Sequence, residues 1–241
     1  MKRQVVIIKG KSYNDIQKQN FDDFGDRYAD YFKSNAGGVF GDTDIVSLTE
    51  PSVADIQQLL TTSEVDYAIL VLIGHGATQD GKQLFHLREK DIIQPGQIEL
   101  PTKKQLVIVE SCRSLQSNVP VKAVTDQVPK FKSGGVIRIA MTKEKAKALY
   151  IEQVAGCKDG LVVCFACDED EKASNYRFSH TLLEKAKTWS GGTAGSKVVL
   201  PITALMGAVT TDLVNQTKST PKPQTPEIKG DIPFPFAISK Y

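Results

Sequence analysis

The sequence predicts an α/β fold: a mostly parallel sheet of about six strands with helices on both faces, in one domain over residues 1–241. Three observations carry this expectation. Up to Ile73, apolar runs of strand length alternate with helical spacing, giving β-α-β-α-β. The two strongest runs, Tyr67–Ile73 (YAILVLI) and Gln105–Val109 (QLVIV), are apolar without alternation, as strands covered on both faces are. Hydrophobic residues make up 41% of the chain, enough to fill a sizeable core.

Taken in order, Gln4–Ile8 is the first strand. It ends in Lys9-Gly10-Lys11-Ser12, which has the tail of a phosphate-binding loop, but the first glycine of that motif would fall on Val5, so the motif is absent. Asn14 or Asp15 caps a helix running to about Asn35, with Phe21, Phe24, Tyr28, Tyr31 and Phe32 on roughly one face as a core stripe. Ala36-Gly37-Gly38 stops it. Thr43–Leu48 is the second strand, and Ser52 opens a second helix with Asp55 as capping partner. After Tyr67–Ile73, the span Ala77–Lys104 carries a hairpin arm near Gly81 and a tight turn at Pro95-Gly96; His86 within it reads as a surface residue.

Beyond Ser114 the chain turns polar. Ser117–Gly135 reads as a long loop, a feature that is often functional inside a compact domain. Gly135–Met141 is expected to pair locally, and Lys143–Val154 to be helical. Leu161–Ala166 is the fifth strand, Ser179–Trp189 a helix, and Thr203 the cap of a last helix to Asn215. Gln216–Gly230 reads as a surface linker, and Ile232–Ile238 as a final strand whose two prolines put it at a sheet edge.

Composition removes several function classes. Lys plus Arg number 30 against 28 Asp plus Glu, a formal charge of +2 with no basic run interleaved with aromatics, so nucleic acid is not an implied partner. Tyr67–Ile73 and Leu161–Cys167 are far shorter than the roughly 20 residues a bilayer requires, so no membrane is implied. The apolar run after Met1-Lys-Arg-Gln is too short for a secretory leader, and a cytoplasmic location is expected. Cys112, Cys157, Cys164 and Cys167 then read as reduced thiols. Cys164-Phe-Ala-Cys167 closes an apolar strand and has no second ligand pair at zinc spacing, so no metal or other cofactor is assigned.

The chemistry gathers where two strands end. Gly74-His75-Gly76 leaves one, and Glu110-Ser111-Cys112-Arg113-Ser114 leaves the other, both at the carboxyl edge where α/β sheets place their sites. A cysteine becomes a useful nucleophile when a neighbour takes its proton, and His75 is the natural base for Cys112. The amides of Gly76 and Cys112 are the candidate oxyanion hole. The expected reaction is acyl transfer to sulfur followed by hydrolysis. No Asp or Asn identifies itself as a third member, so a dyad is expected. Residues two apart on a strand share a face, which places Glu110 beside Cys112, where its carboxylate would attract Lys or Arg.

The pieces VLIGHGA and VIVESCRS resemble the His-Gly and acid-x-Cys motifs of the caspase-like cysteine peptidases, the superfamily of caspases and metacaspases. Only Cys and Arg match the caspase signature, which favours the metacaspase and bacterial caspase-like branch. VVCFACDEDEKA with FSHTLLEKA, and later QTPEIKGDIPFPF, resemble the opening and closing segments of that family's small-subunit half. The resemblance covers nearly the whole chain. It implies a three-layer caspase-like sandwich, with residues 1–140 as the large-subunit-like half and 158–241 as the small-subunit-like half.

It further implies that His75 and Cys112 are catalytic, that the substrate is a protein or peptide, and that an acid from the first helix, Asp22 or Asp23, joins Glu110 in a pocket for Arg or Lys. Self-cleavage at Lys122, Lys130, Lys132 or Arg138, or a regulatory partner, is a family habit. Calcium activation occurs in metacaspases, but the acidic run Asp168, Glu169, Asp170, Glu171 offers no convincing ligand set. Two alternatives stand beside this reading: a catalytically silent caspase-like scaffold, and a peptidase of this fold with Asp specificity. A nucleotide-binding role rests on a lone G-x-G and is weaker.

Overall fold

Arg3–Lys9 (β1) is the strand about which the sheet is laid out, pairing in parallel with Ile45–Thr49 (β2) on one side and Tyr67–Ile73 (β3) on the other. β3 pairs in parallel with Lys104–Glu110 (β7), and β7 with Gly160–Phe165 (β8). Glu227–Lys229 (β10) closes the sheet antiparallel to β8, giving the order β10-β8-β7-β3-β1-β2. The chain leaves β1 toward one edge and β3 toward the other, so the crevice beyond their carboxyl ends is a topological switch point. The structure is a computed structural model, and it describes residues 1–62, 64–79, 82–95, 98, 101–112, 140–168, 171, 173, 176–192, 198–220 and 223–241.

Local chemistry sets the helix starts. Asp15–Lys33 (α1) begins where the Asn14 side chain accepts the Gln17 N–H, satisfying a donor the helix itself cannot. Val53–Thr62 (α2) opens on a reciprocal box: Ser52 Oγ accepts the Asp55 N–H at 3.0 Å, and Asp55 Oδ2 accepts the Ser52 N–H at 2.7 Å. Lys143–Gly156 (α3), Arg177–Gly191 (α4) and Ile202–Thr217 (α5) complete the helices among the described residues. The start of α5 differs from expectation. It follows Pro201, and Thr203 lies inside the helix rather than capping it.

Period-two alternation splits the core. Val5, Ile7, Ile69, Val71, Leu106, Ile108 and Cys164 face α1, α3, α4 and α5, while Val6, Ile8, Leu70, Leu72, Val107 and Val109 face α2. The α2 side is shared by a three-stranded antiparallel arm, Gly76–Gln79 (β4), Lys82–His86 (β5) and Ile92–Ile93 (β6), which buries Phe85 and Leu87. Arg3 closes the turn after α1. Its guanidinium donates to Gly38 O (2.9 Å) and Val39 O (3.1 Å) and lies 4.1 Å from the centre of the Phe40 ring. Gly38, at φ +97, sits where a Cβ would fall 2.3 Å from the Tyr150 ring.

Two expectations for the C-terminal region are corrected. Residues 216–230 hold the end of α5 and the edge strand β10, so the expected linker supplies the sixth strand of the sheet. The final strand, Pro235–Ile238 (β11), is not an edge of that sheet. Among the described residues it pairs only with Val199–Pro201 (β9) in a separate ribbon, and its register shifts between Pro235 and Ala237. Phe234, Phe236, Ala237 and Ile238 are fully buried in the larger core, with Phe236 O accepting the Tyr31 hydroxyl at 2.8 Å. Four apolar residues outweigh the ladder donors that proline removes. Most of the pairing expected for Gly135–Met141, the loop Ser117–Gly135, and the self-cleavage candidates Lys122, Lys130, Lys132 and Arg138 lie outside the described residues.

Candidate active site

The β3–β7 ladder is in register to its end, Ile73 opposite Glu110, and the Gly74 N–H carries it one step on by donating to Glu110 O at 3.1 Å. Two residues further along each chain come His75 and Cys112. Ile73 and Ile108 turn toward α1 and α4, Glu110 bonds α4, and His75 meets Phe21 of α1. Gly76 ties the two strand ends together. A Cβ there would lie 2.7 Å from Cys112 O, 2.7 Å from Ser111 Oγ and 2.8 Å from Leu84 O, so only glycine fits. On the opposite face, the half-buried Gln83 of the arm donates Nε2–H to Ser111 Oγ at 3.0 Å.

His75 is half-buried within the first turns of α1 and the loop before them. The Tyr13 ring lies 5.0 Å from the imidazole, Phe21 meets it edge-on at 5.8 Å, and Gln17 Oε1 is 3.2 Å from Nε2. Burial first, and the neighbouring His86 second, hold the imidazole below its ordinary 6.5, so it is uncharged at neutral pH and free to take a proton. His86 is half-buried rather than a surface residue, because the arm folds back over the strand ends: its N–H donates to His75 O (3.0 Å) and its carbonyl accepts the Lys11 N–H (3.0 Å). The half-buried Cys112 thiol donates to Ala173 O at 3.4 Å.

Glu110 lies deeper, at 2% exposure, and accepts the Ser179 N–H in the first turn of α4 at 2.6 Å. Burial pushes its carboxyl up to about 7, against the opposing effect of the Ser179 bonds. Tyr28 OH is bonded to Ser179 Oγ at 2.9 Å, extending the network to α1. Tyr176, in the left-handed region at φ 56, immediately precedes α4. Its ring lies tilted against Phe24 at 4.8 Å and meets Phe21 edge-on at 5.9 Å. Its phenol is pushed up by burial, then by Glu110 and Cys112, the two groups it overlies.

The acids of α1 go elsewhere. Asp22 forms an ion pair with Lys9 at the end of β1, and Asp23 is exposed and accepts from Gln19 Nε2 at 2.8 Å. In the acidic run, Glu171 Oε2 accepts the N–H groups of Asp168 (3.2 Å) and Thr225 (2.7 Å), so it braces a turn; Glu169 and Asp170 lie outside the described residues. Among the described residues no group of three or more His, Cys, Asp or Glu side chains is placed to hold a metal ion, and no helix is long and apolar enough to cross a membrane. Cys112, Cys157, Cys164 and Cys167 are not disulfide-bonded, and burial pushes the Cys164 thiol far up.

Gln17, Tyr13 and Tyr176 are the neighbours that sequence reasoning passed over. The available signal was spacing: Gln17, Phe21, Phe24 and Tyr28 fall on one helical face, so the stripe carries a polar residue at its first position.

No family model and no curated protein matches the sequence. The fold does have neighbours among solved structures. Caspase-1 of Spodoptera frugiperda aligns over 95% of this chain and 86% of its own, with TM-score 0.57 and 11% identity. The Drosophila initiator caspase Dronc aligns over 98% of this chain and 80% of its own, with TM-score 0.50 and 12% identity. The chain therefore has a caspase-like fold.

Proposed function

We propose that this protein is a cysteine endopeptidase, with Cys112 as nucleophile and His75 as its base. The observation that supports the reading is the β3–β7 register, in which the strands leading to His75 and Cys112 end in step, with Gly76 packed on the Cys112 carbonyl. In the proposed cycle the Sγ proton passes to the imidazole and sulfur adds to the scissile carbonyl carbon. The amides of Gly76 and Cys112 hold the oxyanion, and the imidazolium returns its proton to the departing amine. Water, deprotonated by His75, then cleaves the thioester and frees the thiol.

Cleavage after Arg or Lys rests on Glu110, which lies on the Cys112 face two residues before it. A guanidinium or ammonium arriving beneath Tyr176 would draw the proton from this buried carboxyl and pair with it. Asp22 would join only by exchanging Lys9 for the substrate. The branch this implies is the metacaspase-like one.

The test is to incubate the protein and Cys112→Ala with fluorogenic peptides ending in Arg, Lys or Asp, with and without calcium. Turnover of the basic peptides that vanishes in the variant is expected. Turnover of the Asp peptide alone keeps the peptidase and discards the Glu110 pocket. Absence of turnover, together with no labelling of Cys112 by a thiol-reactive peptide, overturns the proposal in favour of a silent scaffold.

A further inference from the structure

We propose that Gln17 is the positioning residue of the site: its Oε1 accepts a hydrogen bond from His75 Nε2–H, fixing the tautomer and leaving Nδ1 to take the Cys112 proton. The inference deepens the peptidase reading and rests on it.

An imidazole offers two nitrogens, and the one that stays protonated is set by the bond the other groups make to it. Here the backbone decides. The Tyr13 N–H donates to Gln17 Oε1 at 2.9 Å, and a backbone N–H can only donate, so the amide oxygen must be the atom that points into this corner. That same oxygen lies 3.2 Å from His75 Nε2. Two acceptors cannot bond to each other, so Nε2 carries the proton. The neutral imidazole then has its lone pair on Nδ1, the only nitrogen left to act as base.

The amide is itself held in place. Gln17 N–H donates to Asn14 Oδ1 at 2.9 Å, so the helix cap that starts α1 also fixes the backbone from which the amide reaches. The Tyr13 ring on one side and the Phe21 edge on another fix the plane of the imidazole. The loop before α1 and its first turns therefore supply a ring face, a ring edge and a hydrogen-bond acceptor to the base. Among the described residues, the titratable groups that touch the ring or act on it are His86 from the arm and the phenol of Tyr13; the acceptor itself is uncharged. A neutral acceptor orients the ring without the added basicity that a carboxylate would bring.

The proposal is tested on ring nitrogens, independently of any substrate. The 15N shifts of His75, assigned by their loss in His75→Asn, report tautomer and pKa together. The wild type is expected to be the Nε2–H tautomer. Gln17→Met, which keeps the chain length and loses the acceptor, is expected to give a tautomer mixture. Gln17→Glu, which keeps the acceptor and adds a charge, is expected to keep the tautomer and raise the His75 pKa by about one unit, a tenfold change in proton affinity. A purely structural role for Gln17 would not produce that rise. An Nδ1–H wild-type ring, or an unchanged tautomer in Gln17→Met with an unchanged pKa in Gln17→Glu, overturns the inference. If the ring behaves as expected while no peptide is cleaved, the positioning role stands and the peptidase reading fails.

Discussion

Replacing Glu110 by Gln isolates the energetic state of the buried acid. In the folded protein its carboxyl ionises at about 7 against an ordinary 4.5, chiefly because burial penalises the charge. Each unit is worth about 1.4 kcal/mol, so full ionisation of Glu110 lowers folding stability by about 3 kcal/mol. A raised pKa places the stability at low pH: it is fully present below about 4.5 and lost as pH rises through about 7. Gln is the same shape as the protonated acid and its carbonyl still accepts the Ser179 N–H, yet it does not titrate. Wild type and Glu110→Gln should therefore match within about 1 kcal/mol near pH 4, and the variant should lead by about 3 kcal/mol above pH 8. Urea unfolding followed by the single tryptophan, Trp189, reads this directly, because Trp189 lies on α4, the helix whose first turn Glu110 binds. All other titrations are shared by the two proteins and cancel. A wild type that gains on the variant as pH rises would refute the reasoning, since it would mean that the carboxylate is held ionised by a resident cation and is not open to a basic substrate.

Two further substitutions probe the frame around the site. Gly76→Ala forces a Cβ against two backbone oxygens and one hydroxyl; about 100-fold lower peptide turnover and about 1–3 kcal/mol lower stability are expected, and a fully active variant would separate the two strand ends. Arg3→Met abandons the Gly38 and Val39 carbonyls and the face of Phe40; a loss of about 2–4 kcal/mol in denaturant unfolding is expected, and a change under 1 kcal/mol would show that the turn after α1 holds itself.

Sequence patterning located what depends on near neighbours. Tyr67–Ile73 was placed to the residue because a strand buried on both faces has no polar position to blur its ends. The Ser52 cap is legible because its partner lies three residues on, while the sequence narrows the first cap to Asn14 or Asp15 and the Gln17 N–H selects Asn14. The shared edge at which β3 and β7 end is legible from two apolar strands that each stop at a run of chemistry-bearing residues. What stayed hidden was set by remote partners. Glu110 is bonded 69 residues away on α4, which no local pattern announces. Strand β10 is three residues of Glu-Ile-Lys in a polar stretch, too short to stand out from a linker, and exists because β8 leaves an edge to pair. The prolines of the last strand each remove a ladder donor, but its phenylalanines are buried in the core, and that burial decides where the strand lies.

The closing ribbon bears on how the chain is joined. Met141 N–H donates to Lys240 O (2.7 Å), Asn35 Nδ2–H to Met141 O (2.8 Å), Ile238 N–H to Ala36 O (2.8 Å) and Ser190 Oγ–H to Ile238 O (2.6 Å), while β7 and β8 are zipped from Lys104 to Val109. Of these, the Asn35–Met141 and Ala36–Ile238 bonds and the β7–β8 ladder, together with a shared core, join the residues before Cys112 to those after Ala140. The two stretches share one core and are expected to unfold as a single cooperative unit.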